Sequence, residues 1–422
     1  MKEKLLHYIW QFKKFNTLDL YTNDGKKVEI IQAGTYNTNE GPNFIFAKLK
    51  IDDIEWNGNV EIHVKSSDWF KHKHDLNNYY KNIILYVVYE IDDNNDKIPN
   101  LSFPILELKS YVSNEIYNNY EFLDHQTFKF IPCENLIDTS LISDIFSFSE
   151  NLYLDKLKNK CERIYEILKR KKNDWEATLT TVLGYTLGLK INAYAFEYIF
   201  LYLEYGIIRK ISKNLFQTES LLFGTTHKLE NCVDTYPQDL YKEFKFLQSK
   251  FNLPEKITDV KYLRLRPSNF PTIRLSQLAN IVSTYQNLFS YIIGIKSVNQ
   301  YYRLLDDVKA SGYWNDHYVF DKKTSSISEK RLSNSLKDLL ILNAFLPIKY
   351  AYSLSIGKPM EEEIFEILSE VKAENNSIIK SYNQLGIKIN SALDSQAFLY
   401  LYKNKCLKKQ CLSCKIGYKI LK

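Results

Sequence analysis

The sequence predicts an α+β fold: a mixed α/β domain over residues 1–125, a linker over 126–140, a larger all-α domain over 141–400, and a cysteine cluster over 401–422. Three observations predict it. The run Asn57-Gly58-Asn59-Val60-Glu61-Ile62-His63-Val64-Lys65 alternates aliphatic and polar side chains, the period-two signature of a half-buried strand. Beyond about residue 140 the apolar spacing turns helical and stays so. Near the end, Cys406, Cys411 and Cys414 stand in a C-x4-C-x2-C pattern.

In chain order, residues 4–15 read as an amphipathic helix with Leu5, Ile9 and Phe12 on one side. Asn23-Asp24-Gly25 is a hairpin turn between strands at 18–22 and 27–32. Gly41-Pro42-Asn43 turns the chain into a strand over 44–51, followed by another over 55–65. Ser66-Ser67-Asp68 supplies helix-cap chemistry for a short turn holding Trp69 and His72. Residues 83–91 read as a buried strand, and 101–108 as a further one that Pro104 confines to an edge or bulge. Helices are expected over 144–172, 174–187, 240–251, 274–293, 297–308, 330–351, 361–372 and 391–402.

Composition sets the class. With 422 residues there is room for two or three domains and a substantial core. Hydrophobic content of 45% and charged content of 25% are ordinary for a globular protein. The 32 Tyr and 24 Phe are spread along the whole chain, which favours a compositional bias over a nucleic-acid stacking platform. A net charge of +6 is compatible with a phosphate-bearing partner without requiring one. The amino end lacks an apolar signal-peptide core, no apolar run is long enough to span a bilayer, and six Cys in a chain this long are not a secreted disulfide framework. A cytoplasmic protein without a membrane partner is expected. No P-loop, G-x-G-x-x-G after a strand, G-x-S-x-G, H-E-x-x-H or Ca²⁺ loop is present, which argues against ATP-driven motors, Rossmann oxidoreductases and α/β-hydrolases.

Four constellations carry candidate chemistry. A turn residue at Asn43 followed by Glu61-x-His63-x-Lys65 on the next strand resembles the layout of metal-dependent nucleases of the restriction-endonuclease, PD-(D/E)XK-like, type. Phosphodiester hydrolysis needs a divalent cation to acidify water and neutralise developing charge. On this reading Asn43 and Glu61 bind Mg²⁺ or Mn²⁺, while His63 and Lys65 assist catalysis. The plain alternative is the solvated face of an antiparallel strand. Second, His72-Lys73-His74-Asp75 could join Glu61 and His63 in a transition-metal site, or form an exposed polar loop. Third, Cys406, Cys411 and Cys414, flanked by Lys405, Lys408, Lys409 and Lys415, suit Zn²⁺ or part of an iron–sulfur cluster, with Cys133 as the outside candidate for a fourth ligand. Fourth, Arg266 and Arg274 around Pro267 and Pro271 could hold backbone phosphates or brace a loop. Tyr313, Trp314 and His317 read as packing residues.

Several phrases together resemble one bacterial family, the domain of unknown function 2851. They are Leu6-His7-Tyr8-Ile9-Trp10, Gly41-Pro42-Asn43-Phe44, Asn59 to His63 through Ser67-Asp68-Trp69, Leu222-Phe223-Gly224, Arg266 to Arg274, Tyr313-Trp314 and Cys411 to Gly417. The resemblance implies Asp at position 43 and His at position 86, where this chain carries Asn43 and Tyr86, each a poorer metal ligand. The function expected is therefore a divergent or degenerate divalent-metal-dependent nuclease-like protein acting on DNA. The alternative is a non-enzymatic nucleic-acid- or protein-interaction module that keeps the scaffold.

Overall fold

In the computed structural model, residues 1–37, 40–92, 101–125, 129–137, 149–226 and 229–421 are described. Both ends of the expected linker, 126–128 and 138–140, lie outside them, as do residues 144–148 of the first expected long helix. The chain divides into two compact units. One comprises Met1–Ile145, Gln384–Gly386 and Leu401–Lys422, and the other Phe146–Asn383 and Ile387–Tyr400.

The first unit is sheet-rich. Helix α1 (Glu3–Gln11) leads into β1 (Leu20–Tyr21), β2 (Lys27–Gln32), β3 (Thr35–Tyr36), β4 (Phe44–Ile51) and β5 (Ile54–Lys65). After α2 (Asp68–Lys71) and two 3₁₀ turns come β6 (Ile83–Glu90), β7 (Ile105–Glu107) and α3 (Asn114–His125). The sheet runs β1-β2-β4-β5-β6-β7, with β3 also on β4. β2, β4 and β5 are antiparallel neighbours, whereas β5–β6 and β6–β7 are parallel. A parallel pair needs a crossover, and residues 66–82 provide it. β7 starts one residue after Pro104, whose carbonyl accepts the Tyr86 N–H at 3.0 Å. It ends the strand order, the place where a proline's missing donor is tolerated.

One expectation is corrected at the centre of the sheet. β5 is covered on both faces from Val60 to His63, and Glu61 and His63 are each only 2% exposed. Register explains it. Glu61 lies beside Tyr86 and His63 beside Val88 on the parallel partner. Tyr86 and Val88 cluster under Trp69, Ile83 and Ile105. The crossover therefore closes over the polar side of β5 and takes it out of solvent.

The last residues belong to the same unit. Tyr418, in the helix Lys415–Ile420, meets Phe12 edge-on at 5.5 Å and lies under the Lys14 ammonium at 4.0 Å. Asn119 donates to the Ile420 carbonyl at 3.2 Å.

The second unit is mainly helical, from Ser149–Arg170 to Ala392–Leu401. Its large apolar core runs from Tyr153 to Leu393 and includes the fully buried Phe196, Phe223, Trp314 and Phe345. It is not purely α. A two-stranded hairpin, His317–Val319 with Lys322–Lys323, turns through Asp321 at a φ of 61°. The helix expected over 330–351 begins later, at Asn334, and widens into a π turn over Ile341–Phe345. Pro347 lies just beyond and has no N–H for the Asn343 carbonyl, the kind of lost helix bond that a π turn accommodates.

Candidate metal centre

The crossover decides what gathers over β5. His72 caps the C-terminal end of α2, Lys73 adopts a left-handed φ of 58°, and His74 opens a 3₁₀ turn. This single left-handed residue reverses the chain, and both flanking imidazoles meet the side chain of His63. The ligand atoms of His63, His72 and His74 all lie within 4.8 Å of one another. His63 Nε2 is 3.1 Å from His72 Nδ1 and 3.4 Å from Glu61 Oε1, which is itself 3.4 Å from His74 Nε2. The His63 and His74 rings stack, nearly parallel, at 5.2 Å. Tyr80 stacks on His74 at 3.9 Å, and Trp69 meets His74 edge-on.

A second layer holds these groups in place. Tyr86 Oη lies 2.9 Å from His63 Nδ1 and 3.2 Å from the carbonyls of Lys65 and Ser66. A phenol has one proton, and carbonyls only accept. The tautomer in which Tyr86 donates to a carbonyl and His63 Nδ1–H donates to Tyr86 satisfies both kinds of contact and turns the His63 Nε2 lone pair towards Glu61 and His72. Asn43 acts on the carboxylate through its main chain: its N–H donates to Glu61 Oε2 at 2.8 Å. Its side-chain oxygen is occupied by the Ile62 N–H, also at 2.8 Å. The two positions where this chain departs from the resembled pattern thus hold the cluster from outside. From α1, His7 reaches Tyr36 Oη at 3.3 Å and Glu3 at 3.6 Å.

Electrostatics follow from burial. Desolvation pushes the Glu61 carboxyl up to about 8, opposed by the Asn43 N–H and reinforced by Glu3. Desolvation, then the neighbouring His74 and His72, hold His63 down at about 3. Burial and His72 lower His74 to about 4.

The donor set fits a transition metal. His74 Nε2 is a buried ring nitrogen without a hydrogen-bond partner, in the middle of the cluster. With Zn–N distances near 2.0–2.1 Å, neighbouring ligand atoms of a tetrahedral site stand roughly 3.3–3.4 Å apart. The His63–His72, His63–Glu61 and Glu61–His74 separations of 3.1, 3.4 and 3.4 Å match that spacing, while the set whose ligand atoms all lie within 4.8 Å of one another is the three imidazoles alone.

Other expected site residues lie elsewhere. Lys65, at the end of β5, is exposed and 3.9 Å from Glu90. Arg266 is exposed where it precedes the turn Pro267–Asn269. Arg274 is 6% exposed, its guanidinium bonded to Gln277 and Asn269 within the helical unit, and burial lowers its pKa to about 10. His317 is buried, stacked on Tyr313 at 4.0 Å and bonded to Asp316 at 2.7 Å. Cys406, Cys411 and Cys414 lie in the first unit with Cys133. Sequence reasoning paired Glu61 with Lys65 and gave less weight to His72 and His74. Their i, i+2 spacing across a short polar turn was the available signal.

Fold and site together define a mixed α+β protein whose sheet-rich unit gathers three histidines, one of them exposed, beside the buried Glu61. The chain belongs to the family described as "Protein of unknown function (DUF2851)", whose model matches residues 3–377. The Cys406–Cys414 segment lies beyond that match. No curated protein and no solved structure matches the chain.

Proposed function

We propose that the first unit is a transition-metal-dependent hydrolytic centre of the phosphodiesterase class, a divergent nuclease-like protein acting on DNA. The observation that carries this reading is the convergence of His63, His72 and His74 within 4.8 Å of one another, with Glu61 Oε1 3.4 Å from both His63 and His74. The scaffold supports it. An opening helix, antiparallel β2, β4 and β5, and a helix-bearing crossover to parallel β6 follow the order expected of a restriction-endonuclease-like core.

Three imidazoles and one carboxylate are a softer set than the oxygen-only shells Mg²⁺ takes, so the cation expected at Glu61 shifts from Mg²⁺ towards Mn²⁺ and its later neighbours. A bound divalent cation supplies an acidified water and a Lewis acid for a phosphoryl oxygen. Tyr86 fixes the His63 tautomer, and Asn43 aims Glu61 by its N–H. His72, the one exposed member, marks the open side from which substrate arrives. Lys65 has no part in this reading.

The test is cleavage of labelled single- and double-stranded DNA with Mn²⁺, Zn²⁺ or Mg²⁺, comparing wild type, Glu61→Ala and Asn43→Asp. Mn²⁺-supported cleavage that Glu61→Ala abolishes is expected. Asn43→Asp, which adds a carboxylate beside the cluster, should raise it. Absence of cleavage with every cation in both wild type and Asn43→Asp rejects the enzyme and leaves a nucleic-acid- or protein-interaction module, to be measured by binding.

A further inference from the structure

A second set of metal-seeking side chains lies in the same unit and owes nothing to the cluster at Glu61. Cys133 sits in a tight turn, its carbonyl accepting the Leu136 N–H at 2.9 Å, and is 8% exposed. The other three thiols come from the far end of the sequence. Cys406 closes the π turn Tyr402–Cys406 and is also 8% exposed. Cys411 and Cys414 bracket a 3₁₀ turn in which the Cys414 N–H donates to the Cys411 carbonyl at 3.1 Å, and both are half-buried.

Two observations bring the distant cysteine to the local three. Phe130 stacks on Tyr402 at 5.1 Å with an interplanar angle of 16°, so the strand of chain leading to Cys133 lies beside the one leading to Cys406. The Cys133 thiol is also within electrostatic reach of Cys406, Cys414 and Cys411. The carboxyl-terminal turn is also tightly set. A Cβ at Gly417 would come 2.1 Å from the Cys411 carbonyl oxygen, so the final helix seats against this turn only because residue 417 has no side chain.

Four buried or half-buried reduced thiols from two segments form a ligand set for a soft metal, and Lys405, Lys408, Lys409 and Lys415, next to them in sequence, offset its negative charge. Spacing separates the two soft-metal chemistries. A single zinc at Zn–S distances near 2.3 Å draws its sulfurs to roughly 3.8 Å of one another. Among the described residues no three of these cysteine sulfurs lie within 4.8 Å of one another. Sulfurs that cap separate iron corners of one cluster stand further apart than sulfurs sharing one ion.

We propose that Cys133, Cys406, Cys411 and Cys414 ligate one iron–sulfur cluster, which staples the turn at 133 to the segment 402–414.

The experiment is metal and acid-labile sulfide analysis, with visible absorption, of the full chain purified without oxygen and reconstituted with iron and sulfide. Wild type should hold iron and sulfide in equal amounts and be brown. Cys133→Ser and Cys411→Ser should each lose at least nine-tenths of both, while Cys232→Ser, in the helical unit, should keep them. Iron K-edge absorption of wild type needs no variant to fold and should show only sulfur as the first shell. One zinc per chain in place of iron, no metal at all, oxygen or nitrogen in the iron shell, or full iron in a folded Cys133→Ser overturns the proposal.

Discussion

Replacing His72 with alanine tests the centre at Glu61 with little risk to the fold. His72 is the exposed member of the three imidazoles, and substitutions at exposed sites usually change stability by no more than about 0.5 kcal/mol. Its Nδ1 nevertheless stands 3.1 Å from His63 Nε2, inside the proposed ligand shell. A cation present at 100 times its dissociation constant stabilises the folded state by about 2.7 kcal/mol. In a unit of this size that raises Tm by about 5–10 °C. If losing one of four ligands weakens binding ~100-fold, the same concentration only equals the new dissociation constant, and the gain falls to about 0.4 kcal/mol, or about 1 °C. The assay is differential scanning fluorimetry of wild type and His72→Ala with Mn²⁺ or Zn²⁺, and again with a chelator. The chelated curves should superimpose and the metal-loaded curves separate. An equal metal-induced shift in both proteins would refute the reasoning, as would a wild type that no divalent cation stabilises.

Three further outcomes are expected. Tyr86→Phe keeps the buried ring but removes the partner of His63 Nδ1, so metal affinity by calorimetry should fall about 10–100-fold; unchanged affinity would mean Tyr86 does not set the tautomer. Glu176 accepts the Phe289 N–H at 3.0 Å, and burial raises its carboxyl from 4.5 to about 7. The folded state therefore holds a proton that the unfolded chain releases, and this group's contribution is greatest below about pH 4.5 and declines as pH rises to about 7. Glu176→Gln should flatten that part of a urea-denaturation series between pH 4.5 and 7.5, and parallel slopes for the two proteins would contradict the assignment. Gly224→Ala places a Cβ 2.1 Å from the Phe244 ring inside the helical core. It should cost about 1–3 kcal/mol in the same denaturation assay, and a neutral result would show that the ring yields freely.

What could be read from the sequence divides along physical lines. β4, β5 and β6 were legible because alternation or continuous apolar character marks a strand within a few residues. The hairpin at 317–323 was not, since three- and two-residue strands are too short to show a period. Glu61 and His63 could be placed on one face of β5, but their burial depends on what the crossover packs over them, a non-local fact. His72 and His74 were visible as a polar turn, and their meeting with His63 required the left-handed Lys73, a conformation for which lysine is no signal. Lys65 looked equivalent to Glu61 and His63 by periodicity. It lies where β5 emerges from its cover, so the same alternation ends in solvent.

The return of residues 401–421 to the sheet-rich unit has a consequence for how the chain is made. Leu421 is fully buried, and Tyr418 packs against Phe12 of the opening segment. A chain emerging from the ribosome presents residues 1–125 long before those partners exist. The helical unit, nearly all of it contiguous in sequence, can collapse on its own residues as they appear, since domains generally fold as units during synthesis. The unit begun first is thus the one completed last, and a nascent chain stopped near residue 400 would leave the seat for Tyr418 and Leu421 open to water.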